Sequence, residues 1–199
     1  MADDHSHVQD FFAPRAAGWD TRFPDDGPAY AAAVRELGLR PGDTAIDAGC
    51  GTGRALPALR EAVGAGGTVI GVDLTREMLD AARRAGREAS GALLLSDVAR
   101  LPLPSGVADA VLAAGLVSHL PHPGRGLVEL ARVVRPGGRL ALFHPIGRAA
   151  LAARHGRPLS DDDLRAEPRL TPLLADAGWR LDAYTDEDSR FLALAVRTG

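Results

Sequence analysis

At 199 residues the chain is long enough for one domain with a sizeable core and too short for two full ones. A formal net charge of -3 gives no general electrostatic reason to bind nucleic acid or an anionic membrane surface, and the single cysteine, Cys50, excludes an internal disulfide and a cysteine-rich zinc site. All 23 basic residues are arginine, which excludes a lysine Schiff base, a P-loop lysine and the Tyr/Lys pair of short-chain dehydrogenases.

The first ten residues, "MADDHSHVQD", are acidic and polar where a signal peptide is basic and then apolar, and no apolar run approaches the ~20 residues of a membrane span. The expectation is a cytoplasmic protein with no membrane partner and no nucleic-acid partner. Next, Phe11, Phe12 and Trp19 recur at a loosely helical spacing, and "PAYAAAVRELGL" predicts an amphipathic helix ended by Gly38. "TAIDAG" predicts a short buried strand, "RALPALREAVG" a helix closed by Gly64, and "TVIGVDL" a second strand rich in β-branched residues. "TREMLDAARRAG" predicts a helix with Thr75 as its N-cap. "ALLLSD" and "ADAVLAAGLV" predict the next strands, "GRGLVELARVVR" a helix and "GRLALFHP" a further strand. Such alternation implies a mostly parallel sheet covered by helices on both faces. Residues 154–169 are polar and contain proline, "LTPLLADAG" predicts a helix, and "WRLDAYT" and "RFLALAVR" are separated by only "DEDS". That spacing predicts a terminal hairpin, hence one strand antiparallel to the rest.

Between the first strand and its helix stands "DAGCGTGR", with Gly49, Gly51 and Gly53 at alternate positions. In an open parallel sheet, ligands bind beyond the carboxyl ends of the strands, and missing side chains let a strand-to-helix turn touch them. Alone, such a turn also serves tight packing. Asp73 ends the second strand, 20 residues beyond Gly53, where an exposed carboxylate that supports no core can accept both hydroxyls of a ribose. Asp97 ends the third strand, within reach of an adenine amino group. Either aspartate singly reads as a cap or turn former; three ligand features at successive strand ends do not. NAD is disfavoured because its fingerprint needs glycine where Arg54 stands.

These segments carry a resemblance. "DAGCGTG" resembles motif I of the class I S-adenosylmethionine-dependent methyltransferases, "GVDLTREML" their second-strand motif, "SDVARLPLP" their adenine-contacting segment, and "ELARVVRPGGRLAL" their helix-turn-strand signature. The match runs in order over residues 40–144 and looks most like the small-molecule, ubiquinone-biosynthesis-like branch. It implies a Rossmann-like, mostly parallel seven-stranded sheet with an antiparallel last strand, S-adenosylmethionine as cofactor with S-adenosylhomocysteine as product, and no metal. Residues 1–39 would supply helices over the cofactor, 40–144 the cofactor-binding core, and 145–199 the acceptor side and hairpin of a single domain. By the same resemblance Asp47, Gly49 and Gly51 would line the methionine moiety, Gly53 belong to the same cofactor-binding turn, Asp73 hold the ribose, and Leu74 pack on the adenine. Asp97 and the Val98 backbone would read the adenine edge, Gly115 and Leu116 lie near the sulfonium, and Trp19 close over the cofactor.

Methyl transfer needs a base only when the acceptor must lose a proton. His144 and His119, each following a strand, are the candidates, against a structural role for both. His5, His7, His122 and His155 have no context that promotes them. Arg148, Arg154, His155 and Arg157 could grip a carboxylate or phosphate, although in a lysine-free chain arginine also covers ordinary solvated surface. The expected activity is methylation of an oxygen or nitrogen of a compact small molecule by a monomer or homodimer. A protein that binds the cofactor without transferring its methyl group is the second reading.

Overall fold

The computed structural model describes residues 3–22 and 26–199; the His5 side chain lies outside what is described. Helix α1 (Asp3–Phe12), a 3-10 turn (Ala13–Gly18), α2 (Trp19–Arg22) and α3 (Gly27–Leu37) precede the sheet. Strand and helix then alternate as β1 (Thr44–Ala48), α4 (Leu56–Val63), β2 (Thr68–Asp73), α5 (Arg76–Arg84), β3 (Ala92–Leu95), β4 (Ala108–Ala114), α6 (Pro123–Val133) and β5 (Val134–His144). Helices α7 (Arg148–Arg154) and α8 (Glu167–Asp176) lead to the hairpin of β6 (Trp179–Glu187) and β7 (Arg190–Arg197). The seven strands form one sheet in the order β3-β2-β1-β4-β5-β7-β6. Neighbours from β3 to β5 pair in parallel, whereas β7 runs antiparallel to both β5 and β6. The predicted fold class is therefore correct.

Burial on both faces explains why the strands are near-continuous apolar runs. On one face Val34 and Leu37 of α3 and Leu56 and Leu59 of α4 pack with Leu112 and Phe143. On the other, Leu127 and Leu130 of α6 and Leu170 and Leu174 of α8 pack with Ile46, Val111 and Trp179. The Trp179 indole is 1% exposed and donates from Nε1 to the Leu127 carbonyl at 2.9 Å, so the ring brings no unpaired polar atom into the core.

Several predicted boundaries move. Helix α6 stops at Val133, and β5 starts there, although "RPGG" reads as a break between helix and strand. The break is absorbed as an irregularity in the ladder, between the pairs Ala108–Val134 and Ala110–Arg139. A Cβ on Gly138 would lie 2.4 Å from Val134 Cγ1 and 2.7 Å from the Asp109 carbonyl oxygen, so only glycine fits. Residues 148–154, for which the sequence pattern predicts no element, form α7. Strand β3 ends at Leu95, which places Asp97 in the following turn rather than at the strand end. Strand β4 ends at Ala114, because Gly115 takes φ +66° and a 3-10 turn, Val117–His119, follows.

Candidate active site

The carboxyl ends of β1, β2, β4 and β5 lie side by side along one rim of the sheet, and β2 and β4 leave β1 in opposite directions. This is the position where open α/β sheets take ligands. The β1 turn occupies it with all three glycines at positive φ: Gly49 at +70°, Gly51 at +54° and Gly53 at +78°. Only the middle one faces open space. A Cβ on Gly49 would lie 2.8 Å from Leu116 Cδ1 and one on Gly53 2.9 Å from Leu56 Cδ1, while one on Gly51 would meet nothing within 4 Å. Gly49 and Gly53 are thus small for packing, and Gly51 presents bare backbone to the rim.

Asp73 corrects an expectation. Its carboxylate is not an exposed strand-end group that supports nothing; the residue is 9% exposed, and both oxygens hold backbone. Oδ2 accepts the Gly51 N–H and Oδ1 the Thr75 N–H, each at 2.8 Å. It thereby pins the glycine turn to the start of α5. Thr75 itself makes no side-chain cap bond, so the capping proposed for it from sequence does not occur. Burial raises the Asp73 pKa while these hydrogen bonds oppose the rise.

Asp47, near the end of β1, is 2% exposed, and no hydrogen bond reaches its carboxylate among the described residues. Burial, reinforced by the neighbouring Asp73 charge, pushes its pKa up to about 7. This is a site that a cation would complete. Asp97 Oδ1 accepts the Ala99 N–H at 2.8 Å, shaping the turn after β3, and the Val98 side chain is buried in the core. Leu74 is half-buried, and its carbonyl accepts from Gln9 Nε2 of α1 at 3.0 Å.

The N-terminal helices lie over this rim. Asp20 of α2 accepts from Thr52 Oγ1 at 2.7 Å through one oxygen and pairs with Arg87 Nη1 at 2.7 Å through the other. Arg87 Nη1 also donates to the Thr52 carbonyl at 2.6 Å. Trp19 is half-buried rather than a core residue, with its ring edge-on to Phe12 at 5.6 Å.

The ends of β4 and β5 form the other half of the rim. There a small cavity is lined by Gly115, Leu116, Ser118, His144, Arg165 and Phe191, among others. Leu116 joins the two halves, because the side chain lining this cavity also covers Gly49. His144 Nδ1 is engaged by Ile146, lying 2.8 Å from its carbonyl oxygen and 3.1 Å from its N–H, and the ring's Cδ2 edge faces Gly115. Burial holds the His144 pKa below the usual value, against the raising effect of the Ile146 bond. His119 keeps an exposed edge, but Phe12 packs edge-on to it at 5.0 Å and Phe11 stacks at 6.3 Å. Desolvation, then Arg165, lowers its pKa as well. At neutral pH both imidazoles are uncharged.

Of the arginines that sequence reading singled out for anion binding, Arg154 and Arg157 are exposed, and Arg157 contacts His155 at 3.0 Å. Arg148 is buried against Asp163 and Asp186. Arg165, which sequence reading missed, is the arginine that lines the cavity. Among the described residues no cluster of His, Cys, Asp and Glu could hold a metal ion, and no helix is long and apolar enough to cross a membrane.

Residues 46–142 match the family model described as a methyltransferase domain. Among curated relatives, a malonyl-[acyl-carrier protein] O-methyltransferase of Serratia marcescens is 37% identical over 131 residues, covering 62% of this chain and 49% of that protein. The chain spans 32% to 49% of the length of the curated relatives it matches. Among solved structures, a SAM-dependent methyltransferase from Aquifex aeolicus aligns with TM-score 0.72 and 27% identity over 85% of this chain and 89% of that one. A Haloferax volcanii protein solved in complex with a methyltransferase activator aligns with TM-score 0.77 and 21% identity, covering 94% and 98%. With the glycine turn, the buried acidic pair and the strand order all in place, the chain belongs to the class I S-adenosylmethionine-dependent methyltransferase family.

Proposed function

We propose that this chain transfers a methyl group from S-adenosylmethionine to an oxygen or nitrogen of a compact small molecule, as in the small-molecule branch of the family. The observation that carries the reading is the Leu116 junction, which sets the glycine turn and the β4/β5 cavity against each other on one rim. The residues present fit the cofactor: bare backbone at Gly51 and a buried carboxylate at Asp47 without a cationic partner among the described residues. Asp47, Gly49, Gly51 and Gly53 would hold the methionine end, Asp73 the ribose and Leu74 the adenine face. Asp97 and the Val98 backbone would meet the adenine edge, Trp19 and its helix would cover the cleft, and Gly115 and Leu116 would border the sulfonium. When bound, the cofactor supplies an electrophilic methyl group on a positively charged sulfur.

The chain's own part is alignment and exclusion of water, which can supply most of the acceleration when two reactants are held in line. Glycine at 115 keeps the end of β4 low, so that an acceptor over His144 can approach from the side opposite the adenine. The neutral His144 ring, with Nδ1 spent on Ile146, has Nε2 left to hold a proton-bearing acceptor. Its lowered pKa makes it a weaker base than a free histidine. The first experiment is thermal denaturation with S-adenosylhomocysteine or NAD. Ligand at ~100 times its dissociation constant stabilises by roughly 2.7 kcal/mol, on the order of 5 to 10 °C here. A shift with S-adenosylhomocysteine and none with NAD is expected; the reverse overturns the reading.

A further inference from the structure

We propose that Arg165 makes the β4/β5 cavity a site for an acidic acceptor, a small carboxylic acid one of whose carboxylate oxygens is the atom methylated. The inference rests on the cofactor reading above and adds the substrate class to it.

Arg165 stands in the turn before α8, and Asp163 fixes its orientation. Asp163 Oδ1 accepts the Arg165 N–H at 2.9 Å and Nε at 3.1 Å, and Oδ2 accepts Nη2 at 2.8 Å. Asp163 is in turn held by Arg148, 3.3 Å away, which bonds Asp186 Oδ2 at 3.3 Å and the Ser160 carbonyl at 3.1 Å. The guanidinium carbon lies 5.9 Å from the centre of the Phe191 ring, and Phe191 pairs with His144 across β7 and β5. Two corners of the planar fork are therefore taken. Nη1 makes no hydrogen bond among the described residues, and Arg165 lines the same cavity as Gly115, Ser118 and His144. A fork oriented by one carboxylate, with a free donor corner at a small cavity of about 10 Å³, is a receptor for the head group of a second planar anion, the rest of which would stand outside the cavity.

Charge points the same way. His144 in the cavity and His119 beyond its lining are both neutral, and Asp163 is already shared between two arginines. A sulfonium arriving beyond Leu116 would bring a second positive charge towards Arg165. A neutral amine acceptor would keep both charges, moving the second from sulfur onto the product, whereas a carboxylate cancels one. The step needs no base: a carboxylate lone pair forms the O–CH3 bond, the S–CH3 bond breaks with its pair staying on sulfur, and no proton moves. An anion and a sulfonium become a neutral ester and a neutral thioether.

The test uses the full chain saturated with S-adenosylhomocysteine, titrated calorimetrically with benzoate and with benzamide, its neutral isostere. Benzoate is expected to bind at least tenfold more tightly, since a charge-assisted hydrogen bond is worth roughly ten- to a hundredfold in affinity. Arg165→Gln should remove that preference and keep the affinity for S-adenosylhomocysteine within about twofold, which also shows that the variant folds. Arg165→Lys, with the charge but not the fork, should restore part of it. With methyl-labelled cofactor, benzoate should yield a product that releases labelled methanol in alkali. Equal binding of benzoate and benzamide, or an Arg165→Gln variant that keeps the preference, overturns the proposal while cofactor binding stands. Failure of S-adenosylhomocysteine itself to bind overturns the underlying reading instead.

Discussion

Asp47→Asn tests the electrostatics of the cofactor end of the site. The folded-state pKa of Asp47 is about 7 against an ordinary 3.8, so between about pH 4 and pH 7 the folded chain keeps a proton that the unfolded chain has released. Stability from this group is full below about pH 4 and is lost as the pH rises through 7, at ~1.4 kcal/mol per pH unit. His119 and His144 have the opposite sign. Their depressed pKa values make the folded state gain stability as the pH rises towards about 6.5, so the wild-type profile mixes the two. The difference between variant and wild type isolates Asp47. Going from pH 5 to pH 7, Asp47→Asn should gain about 3 kcal/mol over wild type, roughly 6 to 12 °C in melting temperature. The neighbouring Asp73 charge is coupled to this titration, which makes that figure an upper value. Adding S-adenosylhomocysteine reverses the order. On the proposed placement its ammonium group would complete the buried carboxylate, so wild-type affinity should rise by up to about tenfold per pH unit over this range and that of the variant stay flat. Differential scanning fluorimetry with and without ligand, in half-unit steps, reads both quantities. A variant-minus-wild-type difference that is constant between pH 5 and pH 7 would refute the reasoning.

Asp73→Ala should lower the melting temperature as well as the S-adenosylhomocysteine affinity, because it leaves the Gly51 and Thr75 N–H groups without their acceptor. A loss of roughly 1 to 3 kcal/mol in stability, with affinity down by one to two orders of magnitude in calorimetry, is the expected pair. Lost affinity at unchanged stability would mean that the turn does not depend on this carboxylate. Asp20→Ala unlatches α2 from Thr52 and Arg87. These contacts are partly exposed, so chemical denaturation should show a change under about 1 kcal/mol, while limited proteolysis near α2 accelerates; an unchanged cleavage rate counts against the latch. His144→Gln should leave cofactor affinity intact and lower transfer to a carboxylic acid by less than tenfold. A larger loss that also removes the acidic limb of the rate profile would make His144 the base after all.

Much of the fold is legible because each strand between 44 and 144 is bounded by its own turn residues, and the hairpin by "DEDS". The failures have physical causes. "RPGG" carries every local sign of a break, yet Val134 pairs with Ala108 before the turn and Arg139 with Ala110 after it, so the ladder resumes in one strand. That is a non-local fact. The burial of Asp73 is hidden in the same way, since the donor that encloses it comes from Gly51, 22 residues earlier. Arg165 was obscured by composition. In a chain without lysine, one arginine among 23 carries no signal until Asp163 and Phe191 are seen around it. The reverse error befell Arg148, whose exposed-looking sequence context ends buried between two aspartates.

The bond from Gly51 to Asp73 also bears on how fast and at what entropic cost a ligand is taken up. Glycines are the residues with the most backbone freedom to lose, each worth ~1 to 2 kcal/mol when fixed, and three of them stand in one short turn. Asp73 fixes that turn during folding, from within the chain, together with the Cys50 N–H bonded to the Val72 carbonyl at 2.9 Å. Association then has little disorder left to remove. Binding to this half of the rim should resemble docking on a rigid surface, with a small entropy penalty, whereas whatever reordering accompanies uptake is confined to the helices that lie above it.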